Sequence, residues 1–236
     1  MAGSNTYVSP LLEPALPPDR SMPTASAPSR AHADRPLELA AKRLMDIVGA
    51  SVALVLLGPV IGLVAVAIAI GQGRPILFRQ PRAGLEGRSF SIAKFRTMQV
   101  DADARREELR SLNEVTGSAA AFKITADPRV TRVGRFLRRT SLDELPQLWN
   151  VLRGEMSLVG PRPHPFDDIS RYEPWHFRRL AMKPGITGLW QISARTAADF
   201  DRWVALDLEY IDRWSVALDV KLALKTIPAL VRAEGR

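Results

Sequence analysis

The feature that most constrains this chain is a long segment without charge. No residue between Ile47 and Gly73 is charged, and most of them are apolar. As a helix, a run of this length reaches across a hydrocarbon core about 30 Å thick. The segment therefore predicts that the chain is attached to a membrane.

Two details predict how this segment meets the membrane. Gly58-Pro59 interrupts it near the middle, and basic residues flank both ends. Because short basic flanks tend to stay on the cytoplasmic side, we expect residues 37–74 to form a re-entrant helix–break–helix hairpin. The alternative is a spanning helix with a mild proline kink, which leaves fewer carbonyl groups unpaired. The flanking cations are Lys42, Arg43, Arg74, Arg79 and Arg82.

Asp46 is an acidic residue at the head of this segment. It is either a buried anchor that pairs with Lys42 and Arg43, or a carboxylate at the start of an interfacial helix. The sequence favours neither interpretation.

Composition narrows the classes of chemistry. The 236 residues suit one catalytic domain, and the absence of cysteine excludes a disulfide framework, a thiolate zinc site and a cysteine nucleophile. The three histidines lack metal-ligand spacing. The net charge of +8 comes entirely from residues after Asp46, and such a basic surface suits nucleic acid, anionic lipid or phosphorylated substrates.

Local patterns predict the remaining elements. Residues 1–36 are rich in Pro, Ala and Ser and read as a disordered tail. Ile76–Gln80 and Ser89–Phe95 flank a Gly-containing connection and predict a β-hairpin. The charged stretch from Asp101 to Asn113 predicts an exposed surface helix.

The end of the chain predicts an amphipathic helix. Apolar residues recur there at helical spacing beside a stripe of cations. Such a face packs either on the protein core or on a lipid surface, and the pattern alone leaves both open. The apolar residues are Val220, Leu224, Ile227 and Val231, and the cations are Lys221, Lys225 and Arg232.

The stretch DPRVTRVGRFLRRTSLDELPQLWNVLRGEMSLVGPRP, residues 127–163, is the densest candidate for chemistry. Several arginines precede the acidic pair Asp143-Glu144. Ser141 and Glu144 fit a capping box, but Asp143 as the helix cap places Pro146 where no backbone donor is lost, and we prefer that register. It predicts an ionised Asp143, a competent nucleophile towards phosphorus, with Glu144 able to hold Mg²⁺.

Two proline-containing segments follow. In Gly160-Pro161-Arg162-Pro163 the flanking prolines stiffen the backbone, so Arg162 is either a phosphate clamp or an arginine on a rigid surface loop. The segment KPGITGLWQ, residues 183–191, is a second rigid turn that leads to Arg195. A purely structural turn formed by its Gly and Pro residues explains it equally well.

Several long motifs of this chain resemble those of the bacterial sugar transferase family of monotopic phosphoglycosyl transferases. They are KRLMDIVGAS, the Gly58-Pro59 break, AKFRTM, the 127–163 stretch and KPGITGLWQ, and they extend from about Leu37 to Ile227. The resemblance implies a UDP-sugar donor, undecaprenyl phosphate as acceptor, Mg²⁺ and a re-entrant membrane helix. It is strongest to the short members that initiate exopolysaccharides and lack the block of membrane helices of larger relatives.

The resemblance also implies roles for individual residues. Asp143 would attack the β-phosphate, expel UMP and carry a covalent phosphosugar that the lipid phosphate then accepts. Glu144 would bind Mg²⁺, and the basic residues that match the family's site are Lys94, Arg138, Arg162 and Arg195. Two positions depart from the family's pattern: Ala194 stands where Gly is common, which affects Arg195, and Asp167 stands where Glu is expected, which affects sugar or metal contacts.

Taken together, the patterns predict a mixed α/β (α+β), helix-rich catalytic domain over residues 75–236 on the cytosolic face of the bacterial inner membrane. UDP-galactose or UDP-glucose is favoured as donor, with an N-acetylhexosamine donor or an inert membrane adapter for glycan assembly as the alternatives. We expect contact with anionic lipids and no nucleic-acid partner. A homodimer is compatible with the apolar segment.

Overall fold

The computed structural model describes residues 31–116, 121–193 and 199–231, and it shows a mixed, helix-rich protein with two small sheets. The helices are α1 (Pro36–Gln72), α2 (Arg132–Thr140), α3 (Gln147–Arg153), α4 (Phe166–Ile169), α5 (Leu189–Ser193), α6 (Phe200–Asp212) and α7 (Val216–Val231). The strands are β1 (Leu77–Ala83), β2 (Ser89–Phe95), β3 (Ser157–Val159) and β4 (Gly185–Thr187).

Helix α1 is the long apolar helix, and by length and composition it can cross a membrane. Its 37 residues form one continuous helix through Pro59, so the predicted break into two helices at Gly58-Pro59 is absent. An interior proline removes one hydrogen bond and bends a helix without having to end it. Both halves of α1 contact the same domain: Ala50 packs beside α3, and Ile68 packs beside Phe95. The re-entrant path through the membrane stays a prediction.

Polar contacts attach α1 to the domain near each end. The Asp46 carboxylate accepts hydrogen bonds from Ser157 Oγ (2.8 Å) and the Leu158 backbone (2.9 Å). At the other end, Arg96 donates to the Gln72 and Gly73 carbonyls at 2.6 and 2.9 Å. Asp46 is therefore a buried anchor, although its hydrogen bonds go to the start of β3.

The cations predicted to pair with Asp46 have other partners. Lys42 Nζ lies 2.7 Å from Asp219 Oδ2 and 2.9 Å from the Val159 carbonyl. Arg43 donates to the carbonyls of Val151 and Leu152, at the end of α3. Arg43 thus bonds two carbonyls in the last turn of α3, and the two cations together fix α1 against α3 and α7.

The predicted β-hairpin is confirmed. β1 and β2 pair antiparallel, with Leu77 opposite Phe95 and Ala83 opposite Ser89. The predicted helix over Asp101–Asn113 is wrong, because the chain there forms only short 3₁₀ turns at Ala104–Arg106 and Arg110–Leu112. The apolar residues in this stretch are too widely spaced to give a helix a buried face.

The second sheet positions the Pro-Arg-Pro loop. β3 and β4 pair in parallel, with Ser157 opposite Gly185. Where the strands lead into their loops the two backbones touch: a Cβ on Gly185 would lie 2.1 Å from the Gly160 nitrogen, and one on Gly188 would lie 2.5 Å from the Gly160 carbonyl oxygen. Only glycine allows this approach, so the KPGITG segment is the support on which residues 160–163 rest.

The two ends of the described chain behave differently from the predictions. Of the predicted disordered tail, residues 1–30 lie outside the described residues, but residues 31–35 dock on the domain: His32 Nε2 lies 2.7 Å from the Ile211 carbonyl and the ring contacts Trp214. In α7 the predicted apolar stripe faces outward, with Leu224 and Ile227 61% and 58% exposed. The core-packing alternative for that stripe is therefore wrong.

Candidate active site

A large cleft lies between the β-hairpin, α2 and the Pro-Arg-Pro loop. Its volume is about 1390 Å³. Five residues singled out from the sequence line it together, although they come from four separate parts of the chain. They are Lys94 on β2, Arg138 on α2, Asp143 and Glu144 on the turn after α2, and Arg162 on the loop after β3.

The backbone around the acidic pair differs from both capping registers. Helix α2 ends at Thr140, and Ser141 adopts a left-handed conformation with φ of 57°. Leu142–Glu144 forms a 3₁₀ turn, and neither Ser141 nor Asp143 caps a helix with its side chain. The nearby backbone donors are already used, because Glu144 N and Leu145 N bond to the carbonyls of Ser141 and Leu142. The Asp143 carboxylate is thus left to face the cleft.

Glu144 is held by two cations. Its Oε1 accepts hydrogen bonds from Lys94 Nζ at 2.8 Å and from Arg162 Nη2 at 2.9 Å. Burial alone would raise the pKa of Glu144, but the charges and hydrogen bonds of Arg162 and Lys94 outweigh it and hold the pKa well below its usual range. Glu144 is therefore a fixed, ionised carboxylate.

Asp143, in contrast to Glu144, is not held by any described cation. Its carboxylate is 8% exposed, and among the described residues it has no hydrogen bond or ion pair. Burial, and next the Glu144 charge, raise the pKa of Asp143 to about 6, against the opposing effects of Lys94 and Arg138. The predicted stabilisation of its ionised form by a helix end is thus wrong, because desolvation and the adjacent acid dominate. At neutral pH the group is still mainly ionised, and it is free to react.

Arg138 presents its guanidinium to the same cleft. Its Nε donates to Thr97 Oγ1 at 2.9 Å, and within the described part of the chain its two terminal nitrogens have no hydrogen-bond partner. Helix α2 lies close to the Thr97 backbone, since a Cβ on Gly134 would lie 2.0 Å from the Thr97 carbonyl oxygen. Thr97 therefore fixes both the helix and the arginine.

The Pro-Arg-Pro loop is held from behind by other arginines. The Arg162 carbonyl accepts a hydrogen bond from Arg179 Nη2 at 3.2 Å, and the Pro163 carbonyl accepts one from Arg82 Nη1 at 3.1 Å. The Pro161 carbonyl accepts from Gly185 N at 2.8 Å. With its backbone fixed on this side, the loop directs the Arg162 side chain to Glu144.

The comparison with known proteins identifies the family of this chain. The bacterial sugar transferase family matches residues 37–233, which is most of the chain. This chain belongs to the bacterial sugar transferase family. The site described above lies wholly inside the matched region.

Three relatives show how much of such proteins the chain represents. It is 46% identical to the galactosyl transferase CpsE of Streptococcus agalactiae serotype III (strain NEM316), over 84% of this chain and 43% of that protein. It is 41% identical to the exopolysaccharide production protein ExoY of Rhizobium meliloti (strain 1021), over 88% and 93%. It is 43% identical to the undecaprenyl-phosphate glucose phosphotransferase of Komagataeibacter xylinus, over 82% and 37%. The chain spans less than half of the first and third of these proteins and nearly all of ExoY.

Three further residues singled out from the sequence of this bacterial sugar transferase are Ala194, Arg195 and Asp167. Ala194 and Arg195 lie outside the described residues. Asp167 is 81% exposed at its side chain and does not line the cleft, whereas its neighbour Asp168 does. Asp167 is connected to the cleft only through Arg106, a lining residue whose Nη1 lies 3.8 Å from Asp167 Oδ2.

Sequence reasoning missed a second charged group in the cleft. Arg106 Nη2 lies 2.6 Å from Asp168 Oδ1. Arg82, whose pKa burial and next Arg162 lower to about 10, lines the same wall. Arg106 lay in a stretch read as an exposed helix, and Arg82 was read only as a membrane flank. The one sequence signal was proximity, since Asp168 lies three residues after the Pro-Arg-Pro-His-Pro sequence.

The carboxylates of the cleft suit a metal ion that binds together with a phosphate-containing substrate. Among residues 31–116, 121–193 and 199–231, no three His, Asp or Glu side chains group closely enough to hold a cation by themselves. Mg²⁺ commonly binds one or two carboxylates and completes its shell with water and substrate phosphate oxygens. Glu144 fits that use, because it is ionised and its Oε2 accepts no hydrogen bond from the described residues.

Proposed function

We propose that this protein transfers a hexose 1-phosphate from a UDP-sugar to undecaprenyl phosphate, releases UMP, and forms a covalent phosphosugar on Asp143. UDP-galactose and UDP-glucose are the favoured donors. The names of the galactosyl transferase and the glucose phosphotransferase relatives support this choice, as does the exopolysaccharide role in the name of ExoY.

In the first step an Asp143 carboxylate oxygen attacks the β-phosphorus of the donor. A new oxygen–phosphorus bond forms, and the bond from that phosphorus to the bridging oxygen breaks. UMP leaves with the bridging oxygen and its electron pair. Lys94, Arg138 and Arg162 bind the phosphate oxygens and stabilise the charge that develops on the leaving group.

In the second step an oxygen of the lipid phosphate attacks the phosphorus of the phosphosugar. The bond to Asp143 breaks, and the carboxylate is restored as the lipid diphosphosugar forms. Dividing the transfer in this way allows one cationic cleft to serve two substrates in turn.

Mg²⁺, held by Glu144 together with the diphosphate, would neutralise charge on the donor and its leaving group. Because α1 is attached to the wall of the catalytic domain, the cleft lies close to the membrane surface. We place it on the cytosolic face of the inner membrane, where a soluble nucleotide sugar and a lipid acceptor can both reach it.

The observation that carries the proposal is the contrast within the acidic pair. Glu144 is ionised and held by Lys94 and Arg162. Its neighbour Asp143 is buried, lacks a described partner and faces the cations of the cleft. A buried carboxylate without a partner costs stability, and a role as nucleophile explains why one is retained at this place.

The test is release of UMP by the protein reconstituted in lipid with Mg²⁺. UDP-galactose, UDP-glucose and UDP-N-acetylglucosamine would be supplied separately, with and without undecaprenyl phosphate, and Asp143→Asn would be the control. We expect multiple turnover with one hexose donor only when the lipid phosphate is present, and none with Asp143→Asn.

Mass spectrometry of the protein incubated with donor alone should reveal the sugar phosphate on the peptide that contains Asp143. Turnover only with UDP-N-acetylglucosamine would keep the chemistry and change the sugar. No UMP from any donor would overturn the proposal and favour an inert adapter. Full activity of Asp143→Asn would keep the enzyme and overturn the assignment of Asp143 as the nucleophile.

A further inference from the structure

A buried arginine that the proposed chemistry does not use lies behind the Pro-Arg-Pro loop. Arg179 is 2% exposed and does not line the cleft. Its Nη2 forms an ion pair with the fully buried Asp207, and its Nη1 donates to the Tyr172 hydroxyl at 2.9 Å. The same Nη2 lies 3.2 Å from the Arg162 carbonyl oxygen.

The loop itself supplies few means of fixing Arg162. Pro161 and Pro163 lack backbone N–H groups, so carbonyl oxygens must carry most of the hydrogen bonds that hold this segment. The carbonyl of Arg162 is bound by Arg179, while the side chain of Arg162 reaches Glu144 Oε1 at 2.9 Å. One described chain of contacts thus runs from Asp207 through Arg179 and Arg162 to Glu144.

We infer that Arg179, held by Asp207 and Tyr172, is a positioning residue that fixes Arg162 against Glu144. This inference rests on the proposed function for its kinetic test. Arginine suits the task because its planar guanidinium bonds several acceptors in fixed directions, which the single ammonium of lysine does not. Arg179→Lys should therefore keep the buried charge and lose part of the geometry.

The decisive experiment is a double-mutant cycle between Arg179 and Arg162. Arg179→Lys in the otherwise native protein should lower kcat for UMP release about 10-fold, since small displacements of a positioning group have effects of this size. In an Arg162→Lys background the same substitution should lower kcat by no more than about 2-fold, because the group it positions is already altered.

Asp219→Asn is the matched control. Asp219 is as fully buried as Asp207 and also pairs with a cation, Lys42, but it does not contact Arg162. Its effect on kcat should be the same in the native and Arg162→Lys backgrounds. Equal losses from Arg179→Lys in both backgrounds would show a general structural role and overturn the inference.

Two further measurements test the inference if Arg179→Lys does not fold or if the protein releases no UMP. If Arg179→Lys does not fold, Tyr172→Phe replaces it in the cycle, since it removes one hydrogen bond and leaves the Asp207 pair in place. If the wild-type protein releases no UMP, the proposed function fails, and the cycle is measured on the affinity for UDP by calorimetry. Additive losses of affinity would then reject the positioning role, and non-additive losses would support it.

Discussion

Two buried charged clusters of this protein are built in opposite ways. We call the first the anchor cluster: Lys42, Tyr210, Trp214 and Asp219, where α1 meets α7. Asp219 receives hydrogen bonds from Lys42 at 2.7 Å, Tyr210 at 2.7 Å and Trp214 at 3.0 Å. The second is the acidic pair in the cleft, where Glu144 is fully held and Asp143 has no described partner.

The difference separates a structural use of a buried charge from a chemical one. In the anchor cluster both oxygens of the carboxylate are satisfied, so the group can bind nothing further without losing a bond. In the cleft one acid of the pair is satisfied and fixes its surroundings, while the other keeps its lone pairs free. Asp219 and Asp143 are both buried, but Asp219 has three hydrogen-bond donors, whereas Asp143 has no described partner and lies beside another acid.

The largest effect should come from Asp143→Asn. We expect the rate of UMP release to fall on the order of 10⁶-fold, as when a covalent nucleophile is removed. The melting temperature should stay the same or rise, because the raised folded-state pKa of Asp143 means that its ionised form opposes folding at neutral pH. Turnover assays and thermal unfolding of the same samples test both expectations. A large loss of stability would place Asp143 with the anchor cluster.

Asp219→Ala should lower the stability of the protein strongly. It leaves Lys42 buried without its partner, which costs about 3–5 kcal/mol of unfolding free energy. Asp212→Ala is the control, since it removes the exposed pair with Arg178 and should cost less than about 1 kcal/mol. Denaturant titrations in micelles give both values. Equal values for the two variants would contradict the structural role of the anchor cluster.

The pH dependence should identify the reactive acid. Because Asp143 must be ionised to attack, the rate should fall about tenfold per unit as the pH drops below the pKa of about 6. Lys94→Met removes a charge that lowers this pKa and should move the falling edge to higher pH. Glu144→Gln removes a charge that raises it and should move the edge to lower pH. Shifts in the same direction would show that another group controls the profile.

The smallest effect concerns the outer face of α7, beside the anchor cluster. The chain contains no cysteine, so Ile227→Cys gives a single site for an environment-sensitive dye. We expect its emission to shift to the blue when detergent is replaced by a bilayer containing anionic lipid, because an exposed apolar stripe beside Lys221 and Lys225 suits such a surface. A dye at Arg213→Cys should not shift. Identical spectra at both sites would contradict contact between α7 and lipid.

Much of the fold could be predicted because it depends on local patterns. The apolar run gave the long helix, and alternation around a Gly-containing connection gave the β-hairpin. The continuity of α1 through Pro59 could not be predicted, since it depends on contacts of both halves with α3, β2 and α2. The 3₁₀ turns after Asp101 were missed for a similar reason: charge density indicates exposure, whereas Arg106 in fact pairs with Asp168.

The motifs predicted residues that the structure brings to one cleft, namely Lys94, Arg138, Asp143, Glu144 and Arg162. The direction of the pKa shift of Asp143 was missed, because charge signs can be read from sequence and desolvation cannot. The supports behind the loop, Arg82 and Arg179, lie far from it along the chain and carry no motif that links them to it.

The attachment of α1 at both ends has a mechanical consequence. Asp46 near its start and Gln72 at its end are bonded to the same domain, so the helix cannot tilt independently to suit a thicker or thinner bilayer. Any mismatch between helix and lipid must move the whole protein, and with it the height of the cleft above the headgroups. Under the proposed function, the acyl-chain length of the bilayer would then change how easily the acceptor phosphate reaches Asp143.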